Sequence, residues 1–424
     1  MNKIEAFIYS LVKKNAPLKN FFVLCYQSIF LLKSIFSKKI DCNLDYQEVD
    51  GFFGFHDRPS MNSNGLLLVH RQLSEFKDSM GLAQLGLVDS RSNINIFKPI
   101  VTTSACNYQQ GSLATWLTDD YIILNNNIND NEKCQIYDSN GKLIKTFPFH
   151  FFSASKCGRY ITSLSFARFG KGLNGYGYDI HYNNIEYTDS KEKTPRTSFG
   201  DIFVYDLENE KEIYRFSIQS FIDESMGLLE DGYMYFSHSN FSPNSEFLYF
   251  LLRSSNNKIN TSQLITVNLV NGNILFAPTN GMVSHLDWLS NTEIIAYCNC
   301  LGSYGDGYYI FTITEHSVTS QKINIKRLSS DGHPSALSEK LFITDTYPSR
   351  DRKQFLIAVD LIENKTEDIA NFYSPLKFRG IHRTDLHPRL SKCKKYITID
   401  TSYKNKRSQL IINIESLSKK NLLH

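Results

Sequence analysis

Residues 380–402 read Gly380-IHRTDLHPRLSKCKKYITIDT-Ser402, in which a histidine (His387) is followed by a serine-containing turn (391–395) and an alternating run, Tyr396 to Asp400. Alternation of apolar and polar residues with period two is the mark of a half-buried strand. The same sentence recurs at HSNFSPNSEFLYFLL from His238, HLDWLSNTEIIAYC from His285, HPSALSEKLFITDTYP from His333 and HFFSASKCGRYITSL from His150. Two weaker copies are HDRPSMNSNGLLLVH from His56 and LATWLTDDYIILN, which has Leu113 in place of the histidine.

Seven units therefore open at 56, 113, 150, 238, 285, 333 and 387, with spacings of 57, 37, 88, 47, 48 and 54 residues. Most of these sit near the ~40–50 residues of a four-stranded propeller blade, and the runs lack the 3.6-residue period of helical repeats. The expected fold is all-β, a seven-bladed β-propeller over residues 44–424 with a short N-terminal helical extension. The strand-like LDYQEVD (44–50) is expected to complete the last blade. In the overlong third unit, Gly170 to Asp201 reads as a protruding loop, with an extra hidden blade as the alternative.

With 42% hydrophobic and 13% aromatic residues over 424 positions, the chain has ample material for a core. Its net charge of +3, from 46 basic and 43 acidic side chains, provides no global basic field, so nucleic acid is not an expected partner. The eight cysteines form no C-x-x-C pair; Cys298 and Cys300 share one strand face and read as buried apolar residues of a reduced, intracellular protein. Residues 1–43 stand apart: the first 40 carry seven lysines and one glutamate, with apolar runs too short to span a bilayer and no cleavage site. They are expected to form basic amphipathic helices that contact an anionic membrane face peripherally, or a partner protein, or the propeller itself.

Loops leading into the innermost strands of a propeller meet at one mouth of its channel. The residues expected there include His56, Arg58, Asp331 and Arg389 at repeat openings, and Gln109 and Gln110 ahead of the second unit's inner strand. Arg168, at the end of the third unit's inner strand, and Tyr176 and Tyr178 in GYGYD are expected over the mouth. Histidines from consecutive blades at one repeat phase suit a metal site or a general base; a structural ladder tying the blades together is the alternative. Asp331 and Asp345 also suit hydrogen bonds to turn backbone.

The phrases DGHPSALSEKLFITDTYP (331–348), RTDLHPRLSKCKKYITIDTS (383–402) and HSNFSPNSEFLYFLLR (238–253) resemble the seven-bladed propellers of oligogalacturonate lyases and related polysaccharide lyases. They are similar also to propellers associated with bacterial surface-polysaccharide gene clusters. The resemblance spans about residues 50–415 and implies β-elimination on an acidic sugar polymer. In that family a histidine is the base, and histidines and a glutamine hold manganese. Carried over, His238 matches the base, and His285 and His387 are ligands. The family's last histidine has another histidine and the glutamine nearby; here Asp385 and His382 stand nearest and the glutamine is not assigned. His333 is a substitute ligand, so the resemblance implies a divalent metal (Mn, Ca or Zn) on His285, His333 and His387. Arg383 would clamp the carboxylate and Tyr347 protonate the leaving sugar. Two functions follow: an acidic-glycan lyase, or a non-catalytic glycan-binding scaffold in capsule or O-antigen biosynthesis. Either is placed in the cytoplasm, the scaffold at the inner-membrane face; glycan transfer is a third option.

Overall fold

A computed structural model of the protein describes residues 38–415, apart from 77–79, 93, 130, 179–200, 223–228, 230–231, 257–259 and 304. Seven antiparallel sheets follow one another along the chain, one for each repeat opening, as a seven-bladed propeller requires. The fourth is representative. Its strands Tyr233–Phe241, Phe247–Ser255, Asn260–Asn268 and Ile274–Phe276 pair in sequence order. Second strands are packed on both faces, which is why the chain there is almost continuously apolar: Leu341–Asp345 in blade 6 is buried throughout. Side chains of neighbouring blades interdigitate, as Ile343 and Leu356 of blade 6 do with Ile397, Ile399 and Leu410 of blade 7. Each such buried aliphatic side chain contributes roughly 2 kcal/mol.

Ring closure uses the N-terminal segment. Tyr46–Asp50 pairs antiparallel with Ser408–Asn413 and forms the outer strand of blade 7, so the two ends of the propeller share one sheet. Val49 is buried there, and Tyr403 donates a hydrogen bond to Glu48 at 2.7 Å. Ile40–Cys42, which the sequence places inside the helical extension, is instead strand: it pairs with Lys365–Tyr373 as a fifth strand of blade 6. The helices expected over the rest of that extension fall on residues 1–37, outside the described residues. Among the described residues no helix is long and apolar enough to cross a membrane. Cys298 and Cys300 are buried on one strand as free thiols, their sulfurs 3.7 Å apart in a weak hydrogen bond.

A polar side chain in the second strand of several blades holds the start of the next blade. Asn125 exchanges two 2.8 Å hydrogen bonds with the backbone of Phe151. Asp345 accepts from the N–H groups of His333 (2.8 Å) and His387 (3.0 Å). Asp400 accepts from those of Phe53 (3.1 Å) and Gly54 (3.0 Å), carrying the pattern from blade 7 across the closure into blade 1. Buried backbone donors need such partners, and supplying them sets where each opening sits.

The first part of the long insertion is core rather than protrusion. Phe166–Gly172 forms a helix capped by Ser165, and Tyr178 stacks on Phe166 at 4.8 Å, both rings buried. Gly177 makes this possible: its φ is +70°, and a Cβ there would stand 2.5 Å from the carbonyl oxygen of Phe166. No eighth sheet occurs among the described residues.

Candidate active site at the loop-side mouth

The loop Gly51–Phe55 carries Phe55 onto the channel axis. Around its ring stand five imidazoles from five blades, with centroids 4.6 Å (His56), 5.1 Å (His387), 5.3 Å (His238) and 6.2 Å (His285 and His333) away. His333 lies between His285 (4.0 Å) and His387 (4.3 Å). His238, His387 and Leu113, at the same repeat position, have φ of 53°, 46° and 55°. A left-handed backbone at such residues costs roughly 1–2 kcal/mol and persists where surroundings impose it. In blade 4 the register of the first two strands shifts between Ser237 and Asn240, so the bend is a bulge that re-aims His238.

Three of the imidazoles have a polar partner of their own. Pro334 O lies 3.0 Å from His56 Nδ1, and Asp345 2.8 Å from His333 Nδ1. Asp331 lies 3.2 Å from His285 Nδ1 and also accepts from Ser284 Oγ at 2.7 Å. His387 Nε2, His238 Nδ1 and both amide atoms of Gln110 are buried with no partner among the described residues. Burial, reinforced by the neighbouring cations and imidazoles, holds His56, His238, His333 and His387 well below the usual histidine range, so they are neutral at pH 7. Burial likewise pushes Asp345 up to about 6.

Above the ring, a charged group faces the loop-side mouth. The Arg383 guanidinium lies 4.4 Å over the Tyr347 ring and donates Nε–H to both oxygens of Asp385, at 2.6 and 2.8 Å. Arg253 donates to Ser237 Oγ at 2.9 Å and to the Val283 carbonyl at 3.3 Å, and interacts electrostatically with Asp331, Tyr176 and Tyr347. Burial and the nearby Asp385 and Asp331 raise the Tyr347 phenol, which stays protonated. Gln109 donates to the carbonyls of Ile381 (3.0 Å) and Arg383 (2.9 Å), pinning the loop that carries Arg383.

Of the expected site residues, the structure thus gathers His56, His238, His285, His333 and His387 into the ring, and Arg383, Tyr347 and Asp331 onto the mouth. His238 is enclosed by Phe55, Phe152, Phe169 and Tyr176, whereas the His285–Asp331 pair adjoins Tyr347. Tyr176 joins them against His238, and Gln109 braces the Arg383 loop; Arg58, Arg168, Tyr178 and Arg389 do not join them. Arg168 is not at a strand end but on the helix Phe166–Gly172, where its Nε donates to the Met234 carbonyl at 2.6 Å. Tyr178 is inside the core, 3.4 Å from the Gly111 carbonyl. Arg389 is fully buried, riveted to Asp400 (2.9 Å) and the Gly54 carbonyl (3.0 Å). Arg58 pairs with Asp57 and the Leu113 carbonyl toward the opposite mouth. These arginines and this tyrosine stand where a buried backbone carbonyl or carboxylate needs a donor, a demand that repeat phase does not reveal. Phe55 and Arg253 went unassigned in the sequence, although Phe55 closes FFGF and Arg253 ends the blade-4 motif.

A divalent metal suits part of the ring. One ligand atom each of His333, Asp385 and His387 lies within 4.8 Å of the others, all buried. His387 Nε2 has no other partner, and His333 is oriented through Nδ1 by Asp345, leaving Nε2. Mixed imidazole and carboxylate donors suit Mn or Zn. In this set Asp385 stands where His285 was expected, and His285 lies one ring away.

No protein-family model matches the chain, and no curated protein matches it in sequence. Among solved structures it is similar to oligogalacturonate lyase in complex with manganese, with a TM-score of 0.57 and 10% identity over 90% of this chain and 99% of that one. The oligogalacturonate lyase of Vibrio parahaemolyticus gives 0.57 and 8% over 89% and 98%. The tricorn protease reaches 0.50 at 10% identity, over 88% of this chain and 34% of that one. Lyase and protease share the architecture, so at these identities the likeness is one of fold: the chain is a seven-bladed β-propeller of the kind seen in oligogalacturonate lyase.

Proposed function

We propose that the protein acts on an acidic oligosaccharide at the loop-side mouth, by β-elimination. The observation that carries this is the gathering of Arg383, Arg253, Tyr347 and the His285–Asp331 pair beside the neutral imidazoles of His56, His238, His333 and His387. β-Elimination from a uronate needs a positive group on the carboxylate, a base for the C5 proton and a donor for the leaving oxygen. A divalent metal on His333, Asp385 and His387 supplies positive charge beside the carboxylate when bound. Arg383 offers it a planar guanidinium. His285, with Asp331 at Nδ1, presents Nε2 as the base, since Tyr176 and Phe55 stand in front of His238. The C5–H pair becomes the C4=C5 bond, the C4–O4 bond breaks, and Tyr347 protonates the departing oxygen. The substrate is a soluble oligomer met in the cytoplasm, in keeping with the resemblance to enzymes of short oligogalacturonates.

The test is ultraviolet absorbance of an unsaturated uronate on incubation with acidic oligosaccharides, with metal content by elemental analysis. Wild type is expected to form the product and His285→Ala and Tyr347→Phe to lose it at least a hundredfold, without unfolding. A second reading has its own observation: His56 of blade 1 is taken up by the Pro334 carbonyl of blade 6, as a tie between blades would be. Glycan binding by wild type with no product and no metal would favour that scaffold role, at the membrane face in surface-polysaccharide assembly.

A further inference from the structure

At the other end of the channel, where each inner strand turns into the second, lies a cavity of about 420 Å³. Its inner end is His56 and its rim carries Arg58, Lys156, Lys392 and Lys394. That volume accommodates a small ligand. Two of the lysines come from one device used twice. Ser155-Lys156-Cys157 in blade 3 and Ser391-Lys392-Cys393 in blade 7 are the same tripeptide in the same turn. In each, the serine Oγ accepts from the backbone N–H five residues on, Tyr160 at 2.9 Å and Tyr396 at 3.2 Å, and lies 3.2 Å from the cysteine sulfur. The turn leaves the lysine between them on the cavity wall, from blades on different sides of the channel.

The carboxylates nearby are already committed. Asp57 gives both oxygens to Arg58, at 2.7 and 2.9 Å. Asp287 accepts from the backbone of Trp288 (2.9 Å) and Ala336 (2.8 Å), and Asp119 from that of Ser63 (2.9 Å). The lysines are not so committed. Among the described residues none of Lys156, Lys392 and Lys394 has a carboxylate within ion-pair distance, and half-buried Lys392 has one carbonyl contact, Leu117 O at 3.4 Å. Lys392 alone is drawn partly out of water; Lys156 and Lys394 are exposed, Asp287 and Asp119 act on Lys156 and Lys392 only through space, and an anion in the cavity would take charge-assisted hydrogen bonds from all three ammonium groups.

We propose that the turn-side cavity is a second binding site, for a sugar bearing a carboxylate or phosphate, with Lys156, Lys392 and Lys394 holding the anionic group. Ser335 on the wall suits a sugar hydroxyl. The site does not rest on catalysis at the loop-side mouth, since Phe55 and the imidazole ring stand between the two.

Galacturonate, glucose 6-phosphate and inorganic phosphate are the probes, titrated by calorimetry into wild type, the Lys156→Gln/Lys392→Gln/Lys394→Gln protein and Arg383→Ala. The triple variant is expected to bind at least one sugar probe tenfold or more weakly, while Arg383→Ala keeps that affinity. Tighter binding of galacturonate than of the phosphates identifies a uronate source, and the converse a sugar phosphate. Acetylation of the three lysines in wild type, read by mass spectrometry, should fall at least threefold with saturating probe, a readout independent of how the variant folds. Equal binding by wild type and the triple variant, or unchanged acetylation, overturns the proposal. So does retention of inorganic phosphate alone, which would be an adventitious ion only.

Discussion

Replacing Asp400 by alanine tests how the ring is closed. Its carboxylate is buried and accepts from the Arg389 guanidinium at 2.9 Å and from the N–H groups of Phe53 and Gly54, and Arg407 approaches to 3.5 Å. Breaking a buried ion pair from one side costs about 3–5 kcal/mol, and an orphaned backbone donor about 1–3 more. These contributions overlap, so a loss of about 5 kcal/mol is expected. Asp400→Asn keeps one acceptor oxygen and turns an amide toward Arg389, and should lose about half as much. Asp345→Ala is the comparison: the same position in blade 6 holds two N–H groups and an imidazole but no arginine, and should cost about 2–3 kcal/mol. The assay is guanidinium denaturation followed by tryptophan fluorescence. A loss below about 1 kcal/mol for Asp400→Ala, or a larger loss for Asp345→Ala, would refute the account of Asp400 as the rivet across the closure.

Other outcomes follow from the same structure. Deleting residues 44–50 removes the outer strand of blade 7 with Val49, and the melting temperature should fall by at least about 5 °C; an unchanged value would mean the ring does not need that strand. Gly177→Ala places a Cβ against backbone at positive φ and should cost about 2–3 kcal/mol by denaturation, whereas stabilisation would contradict the packing of Tyr178. Burial depresses His70 and His150 to about 3, so the unfolded state binds their protons first. Their burial carries no protonation penalty above pH 6.5, and stability is lost as pH falls from 6.5 toward 3. Between pH 6.5 and 5 the two account for about 3 kcal/mol, and a flat denaturation midpoint across that range would be inconsistent with their neutral burial. His333→Ala and His387→Ala should each release the divalent metal of a metal-loaded protein, measured by elemental analysis, and retention in both would exclude that ligand set.

The repeat was legible because it is local. Period-two alternation and the turn before each second strand are written in consecutive residues, and so were the blade count, the closing strand 44–50 and the phase at which histidines recur. That phase also placed His238, His285, His333 and His387 correctly around one axis, since equivalent positions of a closed ring converge. What each polar residue does there was not legible. Arg383 and Arg389 lie six residues apart in one motif, yet one overhangs the mouth and the other is sealed against Asp400, because partners from distant blades decide which guanidinium meets water. Phe55 becomes the hub of the imidazole ring only once blade 7 has closed onto blade 1. Sequence by itself determined the strands and their sevenfold repetition, which depend on neighbours along the chain; tertiary structure decided which side chains face the channel, because that depends on contacts between residues more than 300 positions apart, such as Gly54 and Arg389.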